Sequence, residues 1–290
     1  MNRSAVLIAD SCCDLPLELL KTREIEGLSF PYMMGDEQML DDFQATMSHV
    51  EFYQRMREGA SPTTAQITMP TYVEAFSAHA AHGEAVLHFT LSSALSGTFN
   101  TALLARQAVL NEYPGARIEV IDSLSASIAD GGLVLALADR LDAGDTVDEV
   151  LEWFRANRPR LNGHFTVDSL EHLRRGGRIS DVAAAAGTLL DIKPLLFLDQ
   201  LGRLEVGARV RGRRKSIKAI AEMVAANIED AASQTIIIGH GDATEDAALL
   251  RAAIAERVEP AGFLDTEIGP VIGSHTGPGM IAAAFWGRPC

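Results

Sequence analysis

Short apolar runs and longer, periodically apolar stretches alternate along the first half of the chain. Val6-Leu7-Ile8-Ala9 stops at Asp10-Ser11, Ala85-Val86-Leu87-His88-Phe89 runs into a Ser- and Thr-rich stretch, and Ala116-Arg117-Ile118-Glu119-Val120-Ile121 stops at Asp122-Ser123. Brief apolar runs bounded by polar turns predict buried strands. Leu28-Ser29-Phe30-Pro31-Tyr32 predicts another. Between them lie stretches with helical spacing. One opens at Asp14-Leu15-Pro16, where Pro early in a helix with Asp before it is an ordinary start signal. A second falls within 41–58, with Phe43, Met47, Val50, Phe52, Tyr53 and Met56 as its apolar side. Others cover 70–82, 101–110, the segment carrying Gly131-Gly132, and 146–158. Residues 59–68 are rich in hydroxyls and predict a loop. This alternation is the pattern of a parallel sheet with helices on both faces. Ligands in such folds bind beyond the carboxyl ends of the strands, where Asp10-Ser11, 92–98 and Asp122-Ser123 stand.

The texture changes near Arg158-Pro159-Arg160. Beyond it, strands are predicted at 164–167, 235–238 and 262–268, a hairpin at 195–198 and 203–206, and helices at 170–175, 181–190, 216–228 and 244–257. A Gly-rich turn, 273–279, leads into the apolar segment 280–286. The fold class is therefore α/β with two domains. Residues 1–159 form an N-terminal parallel-sheet domain and 160–290 a C-terminal mixed α+β domain. Loop 60–69 is expected to reach the second domain.

Composition changes this picture mainly by exclusion. A chain of 290 residues with 47% hydrophobic and 22% charged residues is an ordinary globular one. A net charge of −14 argues against binding nucleic acid through its phosphates and against adhesion to anionic membranes. No apolar run has membrane-spanning length, so stable membrane insertion is not expected. The start lacks the features of a signal peptide, and the chain reads as cytoplasmic. Cys12, Cys13 and Cys290 fit neither a metal-ligand nor a redox spacing. P-loop, GxGxxG, HExxH and GxSxG motifs are absent. His240-Gly241-Asp242 is a weak metal candidate and reads more simply as a hydrogen-bonded turn. No cofactor and no metal are predicted.

The stretch 91–100 carries the first positive chemistry. Ser and Thr gather where a strand turns into a helix, around Gly97. First-turn amides are unsatisfied donors at the positive end of a dipole, so Ser93, Ser96 and the amides near Gly97 and Thr98 could hold a carboxylate or phosphate. The same hydroxyls could simply cap the helix. Both readings stand at this point. Arg209, Arg211, Arg213, Arg214, Lys215 and Lys218 form a basic stretch in an acidic chain, either a solvated surface or a docking surface.

Taken together, several short motifs resemble the DegV family of bacterial fatty-acid-binding proteins, whose members include the acyl-binding subunit of fatty acid kinase. They are Asp10-Ser11 with Asp14-Leu15, Thr64-Ala65-Gln66, Leu95-Ser96-Gly97-Thr98, Asp122-Ser123, Leu170-Glu171-His172-Leu173 with Gly176-Gly177-Arg178-Ile179, Ile192-Lys193-Pro194 and His275-Thr276-Gly277-Pro278-Gly279. The resemblance implies a long-chain fatty acid between two domains, its chain buried and its carboxyl group held near the surface by hydroxyls. It implies no catalysis by the chain alone. A separate fatty acid kinase catalytic subunit would use ATP to make the acyl phosphate. By position, Thr64 and Ser96 match the carboxylate-binding residues, with Ser93 and Gly97 beside them. His275 and Thr276 match a motif at the pocket mouth, and Arg178 matches a residue that works with the kinase. The family's usual Thr-Ser-Gln-Pro is here Thr64-Ala65-Gln66-Ile67, with Thr68 or Ser61 as compensating hydroxyls. Residues 182–198 are candidate tunnel walls, or plain core. Asp10 and Asp122 are expected to brace the turns around the pocket.

The chemistry agrees with the resemblance. A carboxylate taken out of water must be hydrogen-bonded. Neutral hydroxyls do this while leaving an oxygen free to attack a phosphate. At about 0.8 kcal/mol per methylene, a long chain offers roughly 10 kcal/mol before the costs of association. The competing function is an enzyme acting alone on a small anionic substrate, with Ser96 activated by His275. That reading requires a Ser–His hydrogen bond.

Overall fold

The computed structural model describes residues 3–180 and 191–289. Its first half runs β1 (Val6–Asp10), α1 (Leu17–Thr22), β2 (Ile25–Leu28), β3 (Phe30–Met34), β4 (Glu37–Asp41), α2 (His49–Arg57), β5 (Thr63–Thr64), α3 (Met69–Ala80), β6 (Val86–Thr90), α4 (Thr98–Glu112), β7 (Ile118–Asp122), α5 (Ser127–Asp142) and α6 (Val147–Asn157). Four of these strands make a parallel sheet in the order β2-β1-β6-β7. Its strands are apolar on both faces because helices cover both. Leu7, Ala9, Leu87 and Phe89 pack with Leu133, Leu137, Val150 and Phe154 of α5 and α6. Ile8 and Val86 point the other way, against Tyr72, Phe76, Ala102 and Ala105 of α3 and α4. Each Leu, Ile, Val or Phe among them, fully buried, is worth roughly 1.5–3 kcal/mol. Thr146 opens α6 with a reciprocal capping box to Glu149.

The second half runs β8 (Leu161–Thr166), α7 (Glu171–Arg175), β9 (Ile192–Leu198), β10 (Leu204–Arg211), α8 (Arg213–Asn227), β11 (Thr235–His240), α9 (Thr244–Ala255), β12 (Gly262–Glu267), α10 (Pro270–Thr276) and β13 (Ile281–Trp286). Its six strands are ordered β10-β9-β8-β13-β11-β12, and only β11 and β12 pair in parallel. Helices α8 and α9 cover one face. The other faces α5, which therefore lies between the two sheets. Two glycines make that possible. A Cβ on Gly131 would stand 2.5 Å from the Cys13 carbonyl oxygen, and one on Gly132 would stand 3.3 Å from a Leu161 methyl of the second sheet.

Several expectations change. The single strand expected around Leu28–Tyr32 is two, β2 and β3, in different sheets. With β4 and β5, β3 forms a small antiparallel sheet, ordered β4-β3-β5, that the hydrophobic pattern did not predict. Within 41–58 the helix begins only at His49, after Ser48 caps it through the Glu51 amide. Phe43 precedes this helix at positive φ, and Val50 lies 55% exposed on its outer side. The turn expected at 273–279 is helical as far as Thr276. The helix expected at 181–190 lies outside the described residues. No described helix is long and apolar enough to cross a membrane.

Candidate functional site

A cavity of about 330 Å³ is lined by both halves of the chain. That volume is at the lower end of the range of roughly 300–1,000 Å³ usual for small-molecule pockets. Its apolar wall includes Leu91, Leu95, Ile128, Leu133, Leu161, Phe165, Leu173, Phe197 and Met280. Of the tunnel residues expected at 182–198, Phe197 and Leu198 stand on this wall, and 182–190 lie outside the described residues.

A polar group gathers on the same wall: Thr64, Gln66, Ser96, Gly97, Arg178, His275 and Thr276. Three elements deliver most of it, while Gln66 follows β5 and Arg178 follows α7. Strand β5 carries Thr64, the start of α4 carries Ser96 and Gly97, and the end of α10 carries His275 and Thr276. Thr64 Oγ1 lies 2.8 Å from His275 Nε2, although the two residues are 211 positions apart. Burial, reinforced by the nearby charges of Arg178 and Arg175, pushes the His275 imidazole down to about 4, so it is neutral at pH 7. Its Nδ1 is buried without a hydrogen-bond partner among the described residues and faces Gly176, where a Cβ would stand 2.1 Å away. Ser96 Oγ lies 2.8 Å from Thr98 Oγ1 and accepts from the Thr98 amide at 3.2 Å. It thus satisfies the first amide of α4, whose N-cap is Gly97, and stands on the cavity wall at once. A Cβ on Gly97 would stand 2.5 Å from Gln66 Oε1, so a side chain there would displace the Gln66 amide. Thr276 lines the cavity and donates its hydroxyl to the Ile272 carbonyl at 3.0 Å.

Ser93 is not brought to this group. It is exposed and absent from the cavity wall, and its amide donates to Asp122 Oδ1 at 3.0 Å. The buried hydroxyl of that turn is Ser92, which donates to the Gly202 carbonyl at 2.9 Å. Arg178, matched by resemblance to a kinase contact, is half-buried on the cavity wall and donates to the carbonyls of Leu95 and Gly176. Burial lowers its pKa. The hydroxyls of Ser61 and Thr68 do not line the cavity, and Thr68 pairs with Thr71 instead. Sequence reasoning missed Gln66 as a wall residue in its own right, although it stood within the Thr64-Ala65-Gln66 motif.

The bracing aspartates lie where expected. Asp122 Oδ1 accepts from the Ser93 and Leu124 amides, and Asp10 accepts from the Leu91 amide and the Tyr72 hydroxyl. His240 accepts from the Ala243 amide while Asp242 pairs with Arg57, which makes this segment a hydrogen-bonded turn. Among the described residues no group of His, Cys, Asp or Glu is arranged to hold a metal ion. Within the basic stretch, Arg213 pairs with Asp246 at 2.7 Å and Lys218 lies 3.8 Å from Glu222.

The chain is similar in sequence and fold to known proteins along nearly its whole length. A DegV domain-containing protein of Clostridium perfringens is 39% identical over 97% of each chain. A Thermus thermophilus DegV family protein, described for its fatty acid binding, is 32% identical with a TM-score of 0.87, covering 98% of this chain and 100% of that one. The Fatty Acid Kinase (Fak) B3 protein of Streptococcus pneumoniae, loaded with linoleic acid, shares the fold at a TM-score of 0.83 and 23% identity, covering 97% of this chain and 98% of that one. A model of the DegV family, described as uncharacterised proteins, matches residues 4–288, and the chain belongs to that family.

Proposed function

We propose that the protein binds a long-chain fatty acid in the 330 Å³ cavity and presents its carboxyl group to a separate kinase for acyl-phosphate formation. One observation carries the reading. A largely apolar cavity lined by both halves also carries Thr64, Ser96, Gly97, His275, Thr276 and Arg178 on its wall. The acyl chain takes the apolar part and the carboxylate takes the cluster. A buried carboxylate must be hydrogen-bonded, and hydroxyls, a neutral imidazole and one guanidinium supply donors. Arg178 adds the charge that hydroxyls lack. Its guanidinium is already engaged by two carbonyls, so it balances the anion without clamping it bidentately. A carboxylate oxygen then stays available to a phosphoryl donor. Ser93 belongs to the outer face of the same turn. The fold shared with the Fak B3 protein and the Gly176-Gly177-Arg178-Ile179 motif support a kinase as the partner.

The alternative of Ser96 activated by His275 lacks its defining contact. His275 Nε2 pairs with Thr64 Oγ1, and Ser96 Oγ pairs with the hydroxyl and the amide of Thr98. The test is mass spectrometry of the lipid extracted from purified protein, followed by incubation with ATP with and without a fatty acid kinase catalytic subunit. A co-purifying long-chain fatty acid, phosphorylated only when the kinase is present, is the expected result. Turnover by the protein alone, or no acyl chain and no fatty acid binding, would sink the reading.

A further inference from the structure

Helix α10 delivers His275 and Thr276, yet it is only seven residues long. A helix of that length does not hold itself in water, so its place is set by whatever grips its ends. At the far end His275 meets Thr64. At the near end the orphan first-turn amides have no cap from their own segment, since the N-cap residue is Gly269. Two distant carboxylates take them. The Gly269 amide donates to Asp14 Oδ1 at 2.8 Å and the Val271 amide to Asp41 Oδ2 at 3.4 Å. Both aspartates are buried, and neither lines the large cavity.

The connectivity gives this grip a direction. Asp41 ends β4, opposite Phe30 of β3, and Thr64 lies in β5, opposite Tyr32 of the same β3. One three-stranded sheet therefore holds α10 at both ends, by a carboxylate at its start and a hydroxyl at its finish. Asp14 ties in the rest of the wall. Its second oxygen accepts from Ser127 Oγ at the start of α5, and its carbonyl accepts from Thr266 Oγ1 at 2.7 Å. The fit allows little slack. A Cβ on Gly269 would stand 2.9 Å from Asp41 Oδ2 and 3.1 Å from Asp14 Oδ1, and one on Gly273 would stand 2.6 Å from the Tyr53 hydroxyl.

We propose that Asp41, together with Asp14, is a positioning residue: by holding the first-turn amides of α10 it fixes the register in which His275 faces Thr64. The consequence for ligand binding rests on the fatty-acid reading above, whereas the His275–Thr64 contact lies within the protein itself and is read separately.

The test uses the full chain as Asp41→Ala and Asp41→Asn, with two readouts: the ¹⁵N resonances of the His275 imidazole in ligand-free protein, and titration with oleate. Asp41→Ala is expected to shift the His275 resonances and to weaken oleate binding about tenfold, the scale of one misplaced hydrogen bond to a charged group. Asp41→Asn keeps an acceptor oxygen for the Val271 amide, and is expected to restore the wild-type His275 resonances and oleate affinity. If Asp41→Ala does not fold, Gly269→Ala crowds the same contact from the helix side and should shift the same resonances. A folded Asp41→Ala or Gly269→Ala protein with a lower melting temperature but unchanged His275 resonances would overturn the proposal. Shifted His275 resonances in the variants, alongside a wild type that does not bind oleate, would support the positioning role and remove the fatty-acid reading alone.

Discussion

Ser96 has two partners to satisfy and one hydroxyl. It accepts from the Thr98 amide, which is the work of a helix cap, and it stands on the cavity wall beside Gly97. The two roles predict different losses on truncation. Removing a cap costs typically about 1 kcal/mol of stability. Removing a hydrogen bond to a buried carboxylate costs about 1.5–3 kcal/mol of binding, or roughly ten- to a hundredfold in affinity. Ser96→Ala is therefore expected to lose fatty acid affinity by that factor while melting only slightly lower. Parallel calorimetric titration and thermal melts decide it, and a lowered melting temperature with full affinity would leave Ser96 as a cap only. At this scale the sequence shows residue types and not their aim. Ser92 and Ser93 are neighbours, yet the first is buried against Gly202 and the second faces solvent. No spacing rule pairs Thr64 with His275. Only the family resemblance put them in one site, because their contact depends on two sheets and a short helix falling into place.

Hydrophobic period was a good guide wherever an element buries a regular face. Strands β1, β6 and β7 and helices α3 to α6 all follow it, because each packs a stripe or both faces of a strand against a large neighbour. It failed for β5, whose two residues carry no period, and for β4, where burial reaches only Asp41. Those are the strands that hold Thr64 and Asp41, so the small sheet that organises the polar cluster was the least legible part. The β9–β10 hairpin was legible, but its tip does more than turn the chain. Gly202 sits there at φ +72, with room for a Cβ denied by Ser92 Oγ at 2.1 Å and by the Leu124 Cα at 2.9 Å. Arg158 donates to the carbonyl and the side chain of the adjacent Gln200, and both residues line the cavity. The tip is thus seated on the first half as part of the cavity wall. Gly202→Ala adds a left-handed conformation costing about 1–2 kcal/mol and a steric clash. It should lower the melting temperature and speed release of a fluorescent fatty acid. An unchanged release rate in a destabilised variant would show that the tip does not retain the ligand.

At the scale of the whole molecule, two sets of carboxylates show opposite pH behaviour. Asp142, Asp148 and Glu171 sit at the surface beside arginines that hold their pKa values below the usual range. Their stabilisation is present above the unfolded values and is lost only as the pH falls through the folded ones. The second group is buried. Burial pushes Asp10 up to about 8 and Asp14 to about 7, and burial with Asp14 nearby pushes Asp41 to about 7. His88, 3.5 Å from Asp10, does not offset this, because burial holds its imidazole down to about 3 and it stays neutral. For these three acids the folded pKa exceeds the unfolded value of 3.8. Their contribution is complete below that value and is lost as the pH rises through about 7 to 8. The buried histidines act at the other end. His164 and His275, lowered to about 4 by burial, withdraw stability only below their ordinary value of 6.5. Between about pH 6.5 and 8 the buried acids set the slope, reinforced by His79, where Glu84 and Glu26 outweigh burial and raise the pKa. Unfolding free energy measured by denaturant titration should therefore fall from pH 6.5 to pH 8.5. Asp10→Asn keeps an acceptor for the Leu91 amide and removes one titrating acid, so its stability relative to wild type should rise across the same interval. A pH-independent difference between the two proteins would mean that Asp10 is already ionised in the fold.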